Sequence, residues 1–180
     1  MKTLALLGYF NDEVSEFVAD IRKKTGMSDN ISLDIPHITF AITGDVPIEK
    51  VRYAIQKFLE NNNLLLLEFS SIGYFPDSKV LFLGITPSIE LFHFHSGLIK
   101  FITDEDHRIS PYYMPGKWVP HCSLASGKNI DFSWCSEIED IHFPFPARIK
   151  KLSVTELDHS IGEMTHRVDF GQMTDLEDMS

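Results

Sequence analysis

Apolar residues recur with two different periods along the chain, and each change of period bounds a predicted element. Residues 2–10 form an almost continuous apolar run, which predicts a strand that is buried on both faces. The spacing then becomes helical, because four apolar residues recur on one helix face, namely Val14, Phe17, Val18 and Ile21. Residues 35–43 return to an apolar run and predict the second strand.

The alternation of strands and helices continues through the rest of the chain. Pro47 and Pro87 each suit the first turn of a helix, and apolar residues at helical spacing follow both of them. The further predicted elements are a helix from Pro47 to Leu59, strands at 64–74, 79–86 and 118–125, a helix from Pro87 to Ile102, and a hairpin of 149–158 and 163–170.

Strand, helix and strand therefore occur twice in the same order, which predicts a duplicated unit. We expect an α+β fold of two pseudo-symmetric lobes, with mainly antiparallel central sheets, helices on the outside and a groove between the lobes. The repeat divides this single domain into lobes of approximately residues 1–75 and 76–172, followed by an acidic tail at 173–180.

One six-residue pattern occurs in both halves of the duplication. Residues 36–41 and 120–125 both read Pro-His-x-(Thr/Ser)-apolar-Ala. Residues two apart in a strand face the same side, so each copy presents one imidazole beside one hydroxyl. The four side chains predicted to share one site are His37, Thr39, His121 and Ser123.

Two imidazoles and two hydroxyls suit attack on a phosphodiester. One histidine can act as the base and the other as the acid, because the ordinary imidazole pKa leaves both protonation states accessible near neutrality. The hydroxyls can donate hydrogen bonds to the phosphate oxygens. This chemistry predicts a bell-shaped dependence of rate on pH, and the sequence does not assign the base and the acid.

Paired motifs of this kind, on strands of a duplicated fold, resemble those of the two-histidine phosphoesterase superfamily. That superfamily includes 2′-5′ RNA ligase-like and cyclic phosphodiesterase proteins. The resemblance implies a metal-independent enzyme without cofactors, which acts on a 2′,3′-cyclic phosphate or a 2′-5′ linkage with the four motif residues as its site. Several members carry a basic residue just after a motif, whereas this chain has Ile42 and Ser126 there.

The charge of the chain limits its partners. The net charge is −10, from 16 basic and 26 acidic residues, and proteins that grip long nucleic acid usually present a basic face. We therefore expect a small nucleotide or an RNA end as the ligand rather than a long duplex. The residues predicted to meet the phosphate charge are Lys117, Arg148 and Lys150. The aromatic residues predicted to border the groove and to stack on a base are Tyr112, Tyr113 and Trp118.

Cysteine, histidine and hydropathy narrow the remaining choices. Two cysteines are too few for a disulfide framework, and no signal peptide or membrane span is evident, so we expect a cytoplasmic monomer. Cys122 points away from His121 by strand parity, which indicates a buried thiol rather than a nucleophile. His93 and His95 lie two apart on a predicted helix and do not share a face, which disfavours a metal site.

Two other functions remain open at the level of sequence. The same groove could bind a nucleotide or an RNA end without turnover, in keeping with the acidic charge and the missing basic residues after the motifs. The same fold could also act on another cyclic phosphate. Turnover of 2′,3′-cyclic nucleotides in the presence of EDTA separates an enzyme from a binding module.

Overall fold

The computed structural model describes residues 2–24, 35–44, 46–103, 109–126, 141–158 and 163–170. The elements, in chain order, are β1 (Lys2–Phe10), α1 (Asp12–Lys24), β2 (His37–Thr43), α2 (Ile48–Leu59), β3 (Leu66–Phe75), β4 (Val80–Ile85), α3 (Ile89–Thr103), a 3₁₀ turn (Pro111–Tyr113), β5 (His121–Ser126), β6 (Phe145–Asp158) and β7 (Glu163–Phe170). All the strands and helices predicted from the sequence are present. The turn at 159–162, the acidic tail at 173–180 and Cys135 lie outside the described residues.

The seven strands of the described residues pair antiparallel in one sheet, in the order β1-β2-β5-β4-β3-β6-β7. The long strand β6 closes this sheet on itself. Its first residues pair with β3, from Phe145 to Arg148, and its remaining residues pair with β1 and β7. The predicted α+β fold with mainly antiparallel sheets is confirmed.

The three helices cover one face of the sheet, which is where the main core lies. Each helix buries one apolar stripe, as its sequence period requires. The core residues contributed by the helices are Val14, Val18, Ile21, Val51, Ile55, Phe58, Leu91, Phe94, Leu98 and Ile102. No helix among the described residues is both long and apolar enough to cross a membrane. The opposite face of the sheet carries a smaller cluster of Ala5, Leu7 and Tyr9, and we call it the groove face after the groove predicted from the sequence.

The strand pairing does not follow the division of the sequence at residue 75. The third strand, β3, pairs with β4 and β6 rather than with β1 or β2, and the C-terminal strand β6 returns to β1, with β7 paired to β6. The chain therefore leaves the paired strands β1 and β2 before residue 66, where β3 begins. It returns to β1 near Arg148, where β6 passes from β3 to β1. The repeat in the sequence therefore does not coincide with the groups of strands that pair in the sheet.

Gly8 provides a test of packing at the centre of β1. A Cβ at this position would lie 2.7 Å from Phe40 Cε2 and 2.9 Å from Ile38 Cγ2, and both of these side chains are fully buried. We expect Gly8→Ala to lower the free energy of unfolding by about 1–3 kcal/mol, because the core must shift to accept the methyl group. The measurement is urea unfolding followed by circular dichroism.

Gly44 supplies the matched control. A Cβ at Gly44 would meet nothing within 4 Å, so Gly44→Ala should change the free energy of unfolding by no more than about 0.5 kcal/mol. Equal stability of the two variants would contradict the close packing of β1 on β2.

Candidate active site

The two motif strands lie side by side at the centre of the sheet. His37 is the first residue of β2 and His121 is the first residue of β5. The strands pair antiparallel with Ile38 opposite Cys122, and both of those side chains are buried. Continuing this register by one residue in each direction places His37 beside Ser123 and Thr39 beside His121.

The four motif side chains therefore lie on the groove face as one cluster. The burial pattern supports this, because each of the four is only partly buried and alternates with a buried neighbour. The two imidazoles are diagonal neighbours across the strand pair, for which a separation of about 7–8 Å is typical. Each histidine has the hydroxyl of the other motif as its direct cross-strand neighbour.

Both imidazoles are held by the same local contact. His37 Nδ1 lies 2.9 Å from the carbonyl oxygen of Ile35, and His121 Nδ1 lies 2.8 Å from that of Val119. A carbonyl oxygen only accepts, so Nδ1 carries the proton in each ring and donates it to the residue two positions earlier. Nε2 is then the atom that can gain or lose a proton in the groove, and the two motifs match in this respect.

Burial lowers the pKa of both histidines from the ordinary imidazole value. For His37 the positive charges of His121 and Arg22 lower the pKa further, whereas the hydrogen bond to Ile35 opposes the shift. For His121 only the bond to Val119 opposes the effect of burial. Both rings are therefore mainly neutral at pH 7 before an anion binds.

Aromatic rings flank both histidines. The ring of Tyr9 meets the ring of His37 edge to face at a centroid distance of 5.9 Å. Phe75 and Phe82 lie 5.0 and 5.2 Å from the ring of His121, and they stack on one another. These rings cover part of each imidazole and add to the burial that lowers both pKa values.

A β-bulge follows the hydroxyl residue in each motif. Leu6 pairs with Ala41 and Leu7 pairs with Thr39, so Phe40 is the extra residue of β2. In β5 the extra residue is Leu124, because Leu81 pairs with Ala125 and Phe82 pairs with Ser123. The apolar residue between the hydroxyl and the alanine is therefore the bulge in both copies of the pattern.

Side chains from outside the motifs donate hydrogen bonds to the carbonyl groups at the bulge of β2. Trp118 Nε1 donates to the carbonyl of Thr39 at 3.0 Å. His95 Nε2 donates to the carbonyl of Phe40 at 3.1 Å, and the His95 ring stacks on Trp118. Burial lowers the pKa of His95 to about 4, so this ring is a neutral structural donor.

Arg22 takes the equivalent position at the bulge of β5. It lies in the last turn of α1, and its Nη2 and Nε donate to the carbonyls of Ser123 and Leu124 at 3.1 and 3.2 Å. Both motif strands are thus held at the same two carbonyls, one by a tryptophan–histidine pair and the other by an arginine. Arg22 also brings a positive charge close to His37, in a chain that lacks the basic residues after the motifs.

The structure contradicts one of the predicted binding residues and gives the positions of two others. Trp118 is 6% exposed and packs in the core against Phe40 and His95, so its faces are closed to a nucleobase. Lys150 forms an ion pair with Asp12 at the start of α1. Arg148 lies where β6 passes from β3 to β1. A role for these two residues in binding stays a prediction.

The other three predicted binding residues lie on the connection that precedes β5. Tyr112 and Lys117 are exposed, and Tyr113 is partly buried against the core. This connection runs along the far end of β2 from His37, since the backbone of Ser110 donates to the carbonyl of Ile42. A role for these three residues in binding stays a prediction.

The structure also bears on the predictions for Cys122 and for the two histidines of α3. Cys122 is buried, and burial raises the pKa of its thiol to about 12, so it is not a nucleophile. His95 is fully buried whereas His93 is exposed on the other side of α3. Within the described ranges, no three His, Cys, Asp or Glu side chains come together as a candidate metal-binding group.

A closed antiparallel sheet that presents two His-x-(Thr/Ser) pairs in one groove is the arrangement of the two-histidine phosphoesterases. The sequence profile of the 2′-5′ RNA ligase superfamily matches residues 10–160, and the chain belongs to that family. The earlier resemblance is thereby confirmed, and phosphoesterase chemistry is the general activity of the family. No match was found among curated proteins.

Solved structures confirm the fold. Escherichia coli LigT, in its complex with 3′-AMP, superposes with a TM-score of 0.66 at 17% identity, covering 95% of this chain and 99% of LigT. A protein of Thermus thermophilus gives a TM-score of 0.61 at 16% identity, with the same coverage of both chains. The PDE domain of MHV ns2 gives 0.57 at 13% identity, covering 93% of this chain and 99% of that domain.

Arg22 provides a test of the second bulge. We expect Arg22→Met to destabilise the protein by about 1.5–3 kcal/mol, because two carbonyl groups lose a charged donor. We also expect the pKa of His37 to rise, because a neighbouring positive charge that lowers it is removed. The measurements are urea unfolding and an NMR titration of the His37 imidazole, assigned by comparison with His37→Ala.

Two further variants sharpen this test. Arg22→Lys keeps the positive charge without the forked donor, so the pKa of His37 should return toward its value in the parent while part of the stability stays lost. Arg52→Met removes an exposed arginine of α2 that pairs with Glu49, and it should change neither quantity. An unchanged pKa of His37 in Arg22→Met would contradict the closeness of the two groups.

Proposed function

We propose that this protein is a metal-independent phosphoesterase that opens a 2′,3′-cyclic phosphate or a 2′-5′ phosphodiester on a nucleotide or RNA end. The observation that carries the proposal is the matched state of the two imidazoles. Each has Nδ1 bound to a backbone carbonyl, which leaves Nε2 for proton exchange on the groove face. Each also has a hydroxyl as its neighbour across the strand pair.

The proposed reaction assigns a distinct step to each motif residue. Water attacks the phosphorus as one imidazole Nε2 takes its proton, and the bond from phosphorus to the leaving ribose oxygen breaks. The other imidazole enters as imidazolium and gives its Nε2 proton to that oxygen. Thr39 and Ser123 donate to the non-bridging oxygens, where charge increases in the transition state. In the reverse direction the two histidines exchange roles.

The small size of the proposed substrate has two sources of support. The chain carries a net charge of −10, which opposes binding of long nucleic acid. Escherichia coli LigT, which shares the fold, has been crystallised with 3′-AMP, with ATP and with NADP+. A groove of the same fold in this chain suits one nucleotide or the last nucleotides of an RNA.

Removal of either imidazole tests the mechanism. We expect His37→Ala and His121→Ala each to lower kcat by about 100-fold or more, because proton transfer by a positioned side chain contributes ~10²–10⁴-fold. The measurement is hydrolysis of 2′,3′-cyclic mononucleotides and of short RNAs that end in a cyclic phosphate, with EDTA present. His93→Ala, which removes an exposed histidine of α3, is the matched control and should keep full activity.

The outcomes of this experiment separate the candidate functions. Turnover that needs an added divalent metal would overturn the proposed mechanism. Binding of a nucleotide without turnover by the parent protein would identify a binding module instead. Hydrolysis of only non-nucleotide cyclic phosphates would retain the mechanism and change the substrate.

The lowered pKa values of the histidines predict where the pH optimum falls. A group with a lowered pKa loses its proton at a lower pH, so the free enzyme holds one protonated and one neutral imidazole mainly below about pH 6.5. We expect a bell-shaped profile of kcat/KM with its maximum on the acid side of that value. The kcat profile should lie at higher pH, because a bound phosphate anion raises both pKa values.

Stability must be followed in the same pH series. Burial lowers the pKa of His95 to about 4, so the stability that this neutral ring contributes is lost as the pH falls from about 6.5 toward 4. Circular dichroism at each pH separates loss of fold from loss of a protonation state. A kcat/KM maximum above pH 8 in folded protein would be incompatible with the two-histidine mechanism.

A further inference from the structure

A group of charged side chains lies on the groove face beside His37, outside the two motifs. Tyr9 pairs with His37 on β2 and with Lys151 on β6, so the three side chains stand in one row across the sheet. Arg167 and Asp169 lie on the same face of the sheet, on β7, which pairs with β6. We call Lys151, Arg167 and Asp169 the cationic cluster.

Tyr9 links the cationic cluster to the histidine. The guanidinium of Arg167 lies 4.4 Å from the centroid of the Tyr9 ring, and Lys151 Nζ lies 5.5 Å from it. His37, on the strand at the other side of β1, contacts the same ring at a centroid distance of 5.9 Å. Both cations and the imidazole of His37 therefore contact the same aromatic ring.

Asp169 holds the two cations in place. It accepts hydrogen bonds from Lys151 Nζ at 2.8 Å and from Arg167 Nε at 2.7 Å, and it also accepts one from Ser153. Burial opposes ionisation of Asp169, but the hydrogen bonds from Lys151, Ser153 and Arg167 hold its pKa at about 2. At working pH the cluster therefore combines two positive charges with one negative charge.

The geometry leaves donors that suit a phosphate. Within the described part of the chain, the guanidinium of Arg167 uses Nε for its hydrogen bonds to Asp169 and Ser153. Its two Nη groups form the forked edge that matches a pair of phosphate oxygens. The contact with the Tyr9 ring and the hydrogen bonds to Asp169 restrict the guanidinium, so little side-chain freedom is lost when an anion binds.

We propose that Lys151 and Arg167 form a second anion site, which binds a further phosphate group of the substrate next to the phosphodiester held between the two histidines. This inference rests on the proposed function for the place of the reacting phosphate. The chemical class of ligand is a nucleotide or RNA end with a second phosphate on the neighbouring sugar position, such as a 5′-phosphate. A nucleoside cyclic phosphate without that group fills the groove only in part.

A binding experiment tests the second anion site without need of turnover. Adenosine 3′-monophosphate and adenosine 3′,5′-bisphosphate differ by one phosphate, and their Kd values are compared by calorimetry at fixed ionic strength. We expect the bisphosphate to bind on the order of 10- to 100-fold more tightly, because charged hydrogen bonds to the extra phosphate are added. Equal affinities of the two ligands for the parent protein would overturn the proposal.

Variants assign the effect to the named residues. Arg167→Gln and Lys151→Gln should each lose most of the preference for the bisphosphate, whereas Arg52→Gln on the exposed face of α2 should keep it. A preference that survives both cluster variants would overturn the assignment. Circular dichroism checks that each variant is folded, and the comparison of ligands on the parent protein decides the proposal even where one variant is not.

A double variant distinguishes direct contact from net charge. Arg167→Gln combined with Asp169→Asn restores the net charge of the cationic cluster to its value in the parent protein. We expect this double variant to stay deficient, because the forked donor is still missing. Recovery of the full preference would show that only the local field matters and would overturn direct binding by Arg167.

A kinetic comparison links the site to the reaction and separates its failure from that of the proposed function. The 2′,3′-cyclic phosphate of adenosine is compared with its 5′-phosphorylated form, and kcat/KM should favour the second by a similar factor. Absence of turnover for both substrates, with an Arg167-dependent preference in binding, would overturn the proposed hydrolase and leave the second anion site standing. Turnover of both at equal kcat/KM would do the reverse.

Discussion

The brief pairing of β2 with β5 is the constraint on which the site depends. Among the described residues the two strands pair through Ile38 and Cys122, both buried, and this contact joins the two halves of the sheet at their centre. It brings two histidines that are distant in sequence onto neighbouring strands. Beyond this pair the described pairing of the two strands ends, and side chains donate hydrogen bonds to the carbonyl groups of the two hydroxyl residues. Trp118 binds Thr39 on one side and Arg22 binds Ser123 on the other.

Low polarity and positive charge act together on the histidines. Aromatic neighbours bury both rings, which favours their neutral forms, and Arg22 adds to this effect at His37. Under the proposed function, the positive charge of Arg22 near His37 offsets part of the cost of moving an anion from water to the site. The proposal is compatible with an acidic chain, since the cations that it needs are local to the site.

The sequence predicted the elements and the four motif residues because both follow from local periodicity. His37 and Thr39 share one face of β2, as predicted, because the bulge at Phe40 comes after both residues. Long-range contacts could not be predicted in this way: Arg22 lies about a hundred residues before the carbonyls that it binds. Lys151 was not predicted as a binding residue, because a register shift in β6, opposite Tyr9 and Phe10, is what places it on the same face as Tyr9.

The symmetry of the motifs does not extend to the residues around them, and this difference bears on the direction of the reaction. Two matched imidazoles cannot by themselves distinguish the attacking side of a phosphodiester from the leaving side. The surroundings differ, because Phe75 and Phe82 flank His121 whereas Tyr9 with its cations flanks His37. Under the proposed function, a substrate with one apolar end and one charged end would bind in a single orientation. Each histidine would then meet one particular oxygen of the phosphate, so residues outside the motifs would decide which histidine is the acid and which the base.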